Sequence, residues 1–300
     1  MTFTAFFLLL LSVTFHASWN LIAKKSTMSI AYYALICMTS ASCWFNLQFW
    51  TPVDVFGLPG KYYLFMACSV FADVLYCCGL VRAYRTMEMS TAYPMMRSLP
   101  LLLTALLTTI MGWGKPLSAM ALIGMAVVFA GCLMMPLGDF KHFNWRNYIN
   151  PHLLFILLVA CGTTGYTVFD SQAQLIMRNC VQNVSKPIMA LTYYSSRGVV
   201  LTIVLFILVL SRKSERSNLK QFIRERNFTP IIAGLFATFS YGLVLIAMNY
   251  VSNVSYVQVF RQLGLLVGVA GGIIILKERC SAPKIIGSLL IVSGLVMSVL

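Results

Sequence analysis

The chain has 300 residues, 59% of them hydrophobic and 10% charged, with a formal net charge of +14 and a mean hydropathy of +0.83. Soluble domains carry about 25% charged residues, so this composition excludes an ordinary globular enzyme or binding module and points to a polytopic membrane protein. The basic balance does not signal nucleic acid, because 19 of the 22 Lys and Arg lie between apolar runs or at their ends.

Ten apolar runs follow one another: residues 2–22, 30–50, 62–81, 90–111, 117–136, 152–172, 187–210, 229–249, 255–275 and 283–300. At about 1.5 Å per residue each is long enough to cross roughly 30 Å of hydrocarbon as a helix. Run 1 starts at residue 2 without a basic n-region and has no small-residue cleavage site, so it reads as a retained span. In it His16 and Asn20 share a helical face, with Trp19 beside them. Run 3 carries Asp73 and Tyr76. Run 4 carries Arg97 with Pro94 and Pro100 three residues to either side, which predicts a bent or loosened helix. Irregular backbone is tolerated in a bilayer only against protein or cavity water, so run 4 is expected to wall a cavity. In run 6 Gly162, Tyr166 and Asp170 fall on one face. Run 7 holds Arg197, expected in a structural ion pair. Run 8 contributes Tyr241, and run 9 has Gln258 one turn before Arg261. Gly264, Gly268, Gly271 and Gly272 follow, suited to close packing or to a hinge.

The loops after runs 1, 3, 5, 7 and 9 hold 14 Lys and Arg, with Lys284 just inside the start of run 10, and those after runs 2, 4, 6 and 8 hold four. The positive-inside rule then puts the odd-numbered loops in the cytoplasm and both termini outside. The basic cluster over residues 211–226 reads as a topology signal near anionic headgroups. Nine cysteines show no metal-ligand spacing. No GxSxG, HExxH or P-loop appears, so neither an enzyme, a cofactor nor a metal is expected.

The chain also repeats itself. Residues 83–102 align with 247–266 at an offset of 164, setting Arg97 on Arg261 and Pro100 on Gly264. Residues 116–135 align with 279–298, setting Gly124 on Gly287 and Gly131 on Gly294. Five spans per half is an odd number, so the second half enters the membrane from the opposite side. The predicted fold is an all-α polytopic membrane protein of ten transmembrane helices in two inverted five-helix repeats. Residues 1–138 form the first, 139–151 a connecting loop and 152–300 the second.

The segments HASWNLIAKK (16–25), AYPMMRSLPLLLTALL (92–107), GYTVFD (165–170), FRQLGLLVGVAGGIIILKER (260–279) and IIGSLLIVSGLVM (285–297) resemble the drug/metabolite transporter superfamily, in its ten-span EamA-domain branch. The first half departs from that pattern at Gly114-Lys115-Pro116, where the second half keeps an acidic residue, Glu278. The resemblance implies ten helices around a central cavity and transport of small metabolites by alternating access, in a setting such as the bacterial inner membrane.

A charge at mid-bilayer costs at least about 2.5–3.5 kcal/mol and needs a partner or a wet cavity. Arg97 and Arg261 either converge on one anionic group, for which guanidinium is a planar fork of donors, or pair with Asp73, Asp170 or helix C-terminal carbonyls and lock the bundle. Asp170 either binds a substrate amine or a proton, or pairs with an arginine. The expected solute-binding set is Trp19, Asn20, Tyr93, Arg97, Tyr166, Asp170, Tyr241, Gln258 and Arg261, on spans 1, 4, 6, 8 and 9. Asp170, His16 and Asp73 are the candidates for proton coupling. A secondary transporter of a small anionic or zwitterionic metabolite is the leading reading. An exporter of apolar or cationic compounds built on Asp170 and a lipid scramblase are the alternatives. The expected partners are a small solute, membrane lipid and a coupling proton or ion, with no nucleic acid.

Overall fold

The computed structural model describes residues 2–24, 28–86, 89–134, 137, 152–267 and 281–299. The regular elements among them are all helices: α1 (Phe3–Lys24), α2 (Ile30–Trp44), α3 (Leu47–Trp50), α4 (Gly60–Thr86), α5 (Met89–Met111), α6 (Ala119–Met134), α7 (Leu153–Cys180), α8 (Lys186–Ser211), α9 (Lys213–Arg224), α10 (Thr229–Met248), α11 (Ser255–Phe260) and α12 (Ala282–Met297). Residues 263–267 are helical as well. Six helices are long and apolar enough to cross a membrane, and three more are shorter apolar helices. The chain is an all-α polytopic membrane protein.

Burial is distributed as a bilayer demands. Large apolar residues such as Phe71, Ile110, Ile203, Ile207 and Leu289 are exposed on the outside of the bundle. Asp73, Asp170, Arg197, Gln258, Arg261 and Gln262 are buried inside. Prolines open α8, α10 and α12 in the first turn, where a missing N–H costs nothing. In mid-helix, α5 continues as one helix through both Pro94 and Pro100. The irregular helix is the ninth run, interrupted at Arg261 and Gln262. There the Gln262 and Gly264 amides donate to carbonyls only three residues back.

The helices pack α4 on α7, α1 on α10, α2 on α8 and α6 on α12. Two crossings depend on the missing side chain of glycine. A Cβ on Gly124 would stand 2.6 Å from the Gly294 carbonyl oxygen, and one on Gly131 would stand 2.7 Å from that of Gly287, so α6 and α12 touch backbone to backbone in antiparallel sense. At Gly162 the same holds for α7 against Ala72 and Tyr76 of α4.

Loop contacts sort the connections onto two faces. On one, the Lys115 amide donates to the Ser252 carbonyl (3.0 Å) and the Thr2 hydroxyl to the Tyr250 carbonyl (3.0 Å). On the other, Arg85 approaches Glu215 (3.9 Å) and Ser281 donates to the Leu137 carbonyl (3.2 Å). The basic cluster proves to be more than a charged loop. Glu215, Asn218, Leu219 and Phe222 recur at helical spacing and turn inward, whereas the basic residues of α9 are exposed. Glu215, 5% exposed, accepts the Ala31 amide at 3.0 Å next to the Ser29 cap of α2.

Candidate functional site

The bundle holds a cavity of two neighbouring lobes, about 80 and 30 Å³ in volume. His16, Tyr76, Tyr166 and Arg261 line both. The larger lobe adds Trp19, Tyr33, Asp73, Tyr194, Arg197 and Tyr241, and the smaller adds Asn20, Arg97, Pro100 and Gln258. Most of the expected site residues therefore meet around one space. Asp170 does not line it: the carboxylate is 0% exposed and sits behind Tyr241 and Arg197. Gly268 lies outside the described residues, as do the side chains of Tyr93 and Pro94.

The arginines fall into two arrangements. Arg197, 1% exposed, donates to Asp73 at 2.7 Å through Nη2 and to the Ser69 hydroxyl at 2.7 Å through Nε, which stands 3.0 Å from Asp170 as an ion pair. Asp170 further accepts the hydroxyls of Ser69, Tyr241 and, at 2.5 Å, Tyr193. Asp73 accepts the Tyr33 hydroxyl at 2.9 Å. The guanidinium also lies over the rings of Tyr166 and Tyr241, at 5.9 and 5.7 Å.

Arg261 stands at the break in the ninth run. It is 5% exposed, has no carboxylate partner among the described residues, and its Nη1 lacks a hydrogen-bond partner there. Both intramembrane carboxylates within the described residues already belong to Arg197, so none remains for it. Arg97 approaches the same break, its Nη2 3.5 Å from the Arg261 carbonyl. A Cβ on Gly264 would come 3.2 Å from that Nη2 and 3.6 Å from Val13, so this glycine makes room for a guanidinium beside a packed helix. The Gln262 side-chain amide spans the break, donating to the Arg97 carbonyl (2.9 Å) and the Gln258 carbonyl (3.1 Å). Broken backbone at membrane depth is thus satisfied by protein, next to a cavity. Gln258 is held by the Thr167 hydroxyl at 2.6 Å.

The remaining walls are aromatic. Tyr33, Tyr76, Tyr166, Tyr241 and Tyr194 form one chain of ring contacts, each pair 5.6–6.0 Å between centroids. Trp19 donates its indole N–H to His16 Nδ1 at 3.1 Å, which fixes the imidazole. The sequence reading left spans 2 and 7 out of the wall, yet α2 supplies Tyr33, Cys37 and Ser40 and α8 supplies Tyr194 and Arg197. The available signals were the i, i+4, i+7 spacing of Tyr33, Cys37 and Ser40 and the charge of Arg197.

A cavity with basic and aromatic walls at the core of an apolar helical bundle is an arrangement suited to a membrane transporter. A sequence model of the EamA-like transporter family matches residues 150–300, half of the chain, and the chain belongs to that family. It is a multi-pass membrane protein of the drug/metabolite transporter type, whose members are transporters and not enzymes. No curated protein matches the chain. A crystal structure of another protein is similar to it with a TM-score of 0.65 at 13% identity, over 98% of this chain and 96% of the other, a likeness of fold alone.

Proposed function

We propose that the chain is a secondary active transporter that moves a small anionic or zwitterionic metabolite by alternating access at the central cavity. The observation that carries this reading is Arg261. A guanidinium cannot lose its charge in a protein, and a buried one without a counterion is costly. Its unpartnered Nη1 in the cavity wall is therefore a site for an anionic oxygen, with Arg97 on the adjacent helix. Trp19, Asn20, Tyr166, Tyr241 and Gln258 line the space such a solute would fill, and Tyr93 belongs to the same proposed set. Asp170 acts in this reading through Arg197 and Tyr241 rather than on the solute.

Ten spans in two inverted repeats suit this function. The glycine crossing supports them: the contacts Gly124–Gly294 and Gly131–Gly287 exchange with one another when the repeat alignment swaps its halves. The Lys and Arg distribution supports odd-numbered loops in the cytoplasm and both termini outside. The cation-exporter reading would need Asp170 at the cavity, and that carboxylate lies outside the lining, with Ser69, Tyr193 and Arg197 on Oδ1 and Tyr241 on Oδ2.

Proteoliposome uptake of a labelled panel of amino acids, carboxylates and phosphate esters tests the proposal. Uptake of at least one, lost in both Arg97→Ala and Arg261→Ala while both remain folded, is the expected result. Normal uptake in both variants would end the anion-site reading.

A further inference from the structure

Helix α9 is tied to one face of the bundle at both ends. Only Arg212 separates it from α8, and residues 225–228 lead from it into α10, both helices long and apolar enough to cross the membrane. Its end is closed by the Asn227 amide on the Phe222 carbonyl (3.0 Å) and the Arg226 amide on the Ile223 carbonyl (3.2 Å), with Arg226 in left-handed backbone at φ 48°. Between the ends, Glu215 accepts the Ala31 amide at the start of α2, and the Phe222 ring lies 5.7 Å from that of Tyr32. A helix of 12 residues held in this way lies along the surface of the bundle rather than projecting from it.

Around the axis of α9 the side chains change character in order. Glu215, Asn218, Leu219 and Phe222 turn to the bundle. Ile223 comes next and is 69% exposed. Lys213, Arg216, Lys220 and Arg224 follow, all exposed, within a sector of about 80° at roughly 100° per residue. Ser214, Gln221 and Glu225 complete the circuit, and the Gln221 side-chain amide donates to Glu225 at 2.9 Å. Among the described residues no carboxylate pairs with a basic residue of α9, and its inward acid, Glu215, approaches Arg85 of α4 instead.

Both ends of the cluster abut side chains that face lipid. Along α8 the exposed row Ile203, Ile207 and Leu210 runs up to Arg212, and the exposed Phe228, Ile231, Ile232 and Leu235 begin just after Arg226. A docked apolar face, then an exposed isoleucine, then cations, then neutral groups is the order of a helix lying in the headgroup layer. Lys and Arg stems run along apolar surface there while their heads reach the phosphates. A topology signal needs the positive charges alone, and neither a helix nor a single charged side.

We propose that α9 is a docking surface for anionic phospholipid headgroups, with Arg216, Lys220 and Arg224 on the phosphates and Ile223 at the acyl boundary. The guanidinium groups meet phosphate as planar forks, and Lys220 adds a point charge. Lipid held there secures α9 over the start of α2 and the end of α4. This binding follows from the membrane setting of the chain and does not depend on the transporter reading.

The test uses the full chain in mixed phosphatidylcholine and phosphatidylglycerol vesicles, probed with spin-labelled phosphatidylglycerol and, separately, spin-labelled phosphatidylcholine. Electron spin resonance reads the share of each lipid immobilised by the protein. Wild type is expected to immobilise phosphatidylglycerol in preference. Salt at about 1 M, where the Debye length falls to about 3 Å, is expected to weaken that preference. Arg216→Gln, Lys220→Gln and Arg224→Gln combined are expected to lose most of it. Glutamine keeps the helix propensity of the residues it replaces, and all three positions are exposed, so the fold is retained. Lys61→Gln, Lys115→Gln and Lys186→Gln combined remove the same charge from exposed positions on the opposite face and are expected to keep the preference. A wild type without preference, an α9 triple variant equal to wild type, or equal losses in the two triple variants overturns the proposal. Slower amide exchange in α9 on adding heparin, but not on adding phosphatidylglycerol, would assign the surface to a soluble acidic partner and likewise overturn it.

Discussion

Replacing Arg197 by Gln tests how the cavity wall is held. The guanidinium is 1% exposed and serves Asp73 at 2.7 Å and Asp170 at 3.0 Å, so one substitution strands two carboxylates. Breaking a single buried ion pair by removing one partner costs about 3–5 kcal/mol. Glutamine returns an amide donor but no charge, and a stranded carboxyl limits the damage by taking a proton. The expected loss is therefore about 4–5 kcal/mol, near a thousandfold in the folded-to-unfolded ratio at about 1.4 kcal/mol per tenfold. At the low end of a typical stability of about 5–15 kcal/mol, that loss removes nearly all of it. The assay is unfolding by SDS titration in mixed micelles, followed by tryptophan fluorescence, with Asp170→Asn and the double variant closing a thermodynamic cycle. Because the residues share one network, the double variant is expected to cost less than the two singles added, by about 2 kcal/mol. An Arg197→Gln midpoint equal to wild type, or strictly additive penalties, would refute the reasoning.

Three further outcomes are expected. Gly124→Ala sets a Cβ 2.6 Å from the Gly294 carbonyl oxygen and 2.7 Å from the Ser298 nitrogen, backbone atoms that cannot turn aside. It should cost about 1–3 kcal/mol in the same SDS titration. Gly264→Val crowds the Arg97 guanidinium, whose Nη2 lies 3.2 Å from the site of the new Cβ. It should weaken solute uptake by about tenfold in KM, equivalent to about 1.4 kcal/mol, with the folded yield unchanged. Glu215→Ala leaves the Ala31 amide without its 3.0 Å acceptor. Loss of that buried partner should cost about 1–3 kcal/mol locally, read as faster amide exchange at the start of α2 and easier proteolysis of α9.

What the sequence disclosed follows from which forces are local. Apolar runs, the charge bias between loops and the glycine spacing of 124, 131, 287 and 294 are written along single helices, so the helical architecture was legible. Arg97 and Arg261 stood out because a permanent cation in an apolar run is visible by itself. Partner choice was not visible. Nothing in span 7 announces that Arg197 takes both Asp73 and Asp170, because that depends on α4, α7 and α8 meeting in space. The prolines did not mark the discontinuity: α5 is continuous through Pro100, and the break falls at Arg261–Gln262, where no proline occurs. Gln262 carries the compensating bonds, yet a lone glutamine in an apolar run has no signature before the neighbouring carbonyls are known.

The two flanks of the cavity are held by unlike forces. Where α1, α2 and α10 meet, the polar contacts are neutral: Ser12 donates to the Ser240 carbonyl at 2.8 Å and Thr238 to the Ser40 hydroxyl at 2.8 Å. Where α4, α7 and α8 meet, Arg197 and its two carboxylates bind the helices together. Neutral buried hydrogen bonds contribute about 0.5–1.5 kcal/mol each, against about 3–5 kcal/mol for breaking a buried ion pair. In the alternating-access reading proposed above the two flanks part in turn, and parting the charged one carries the greater cost.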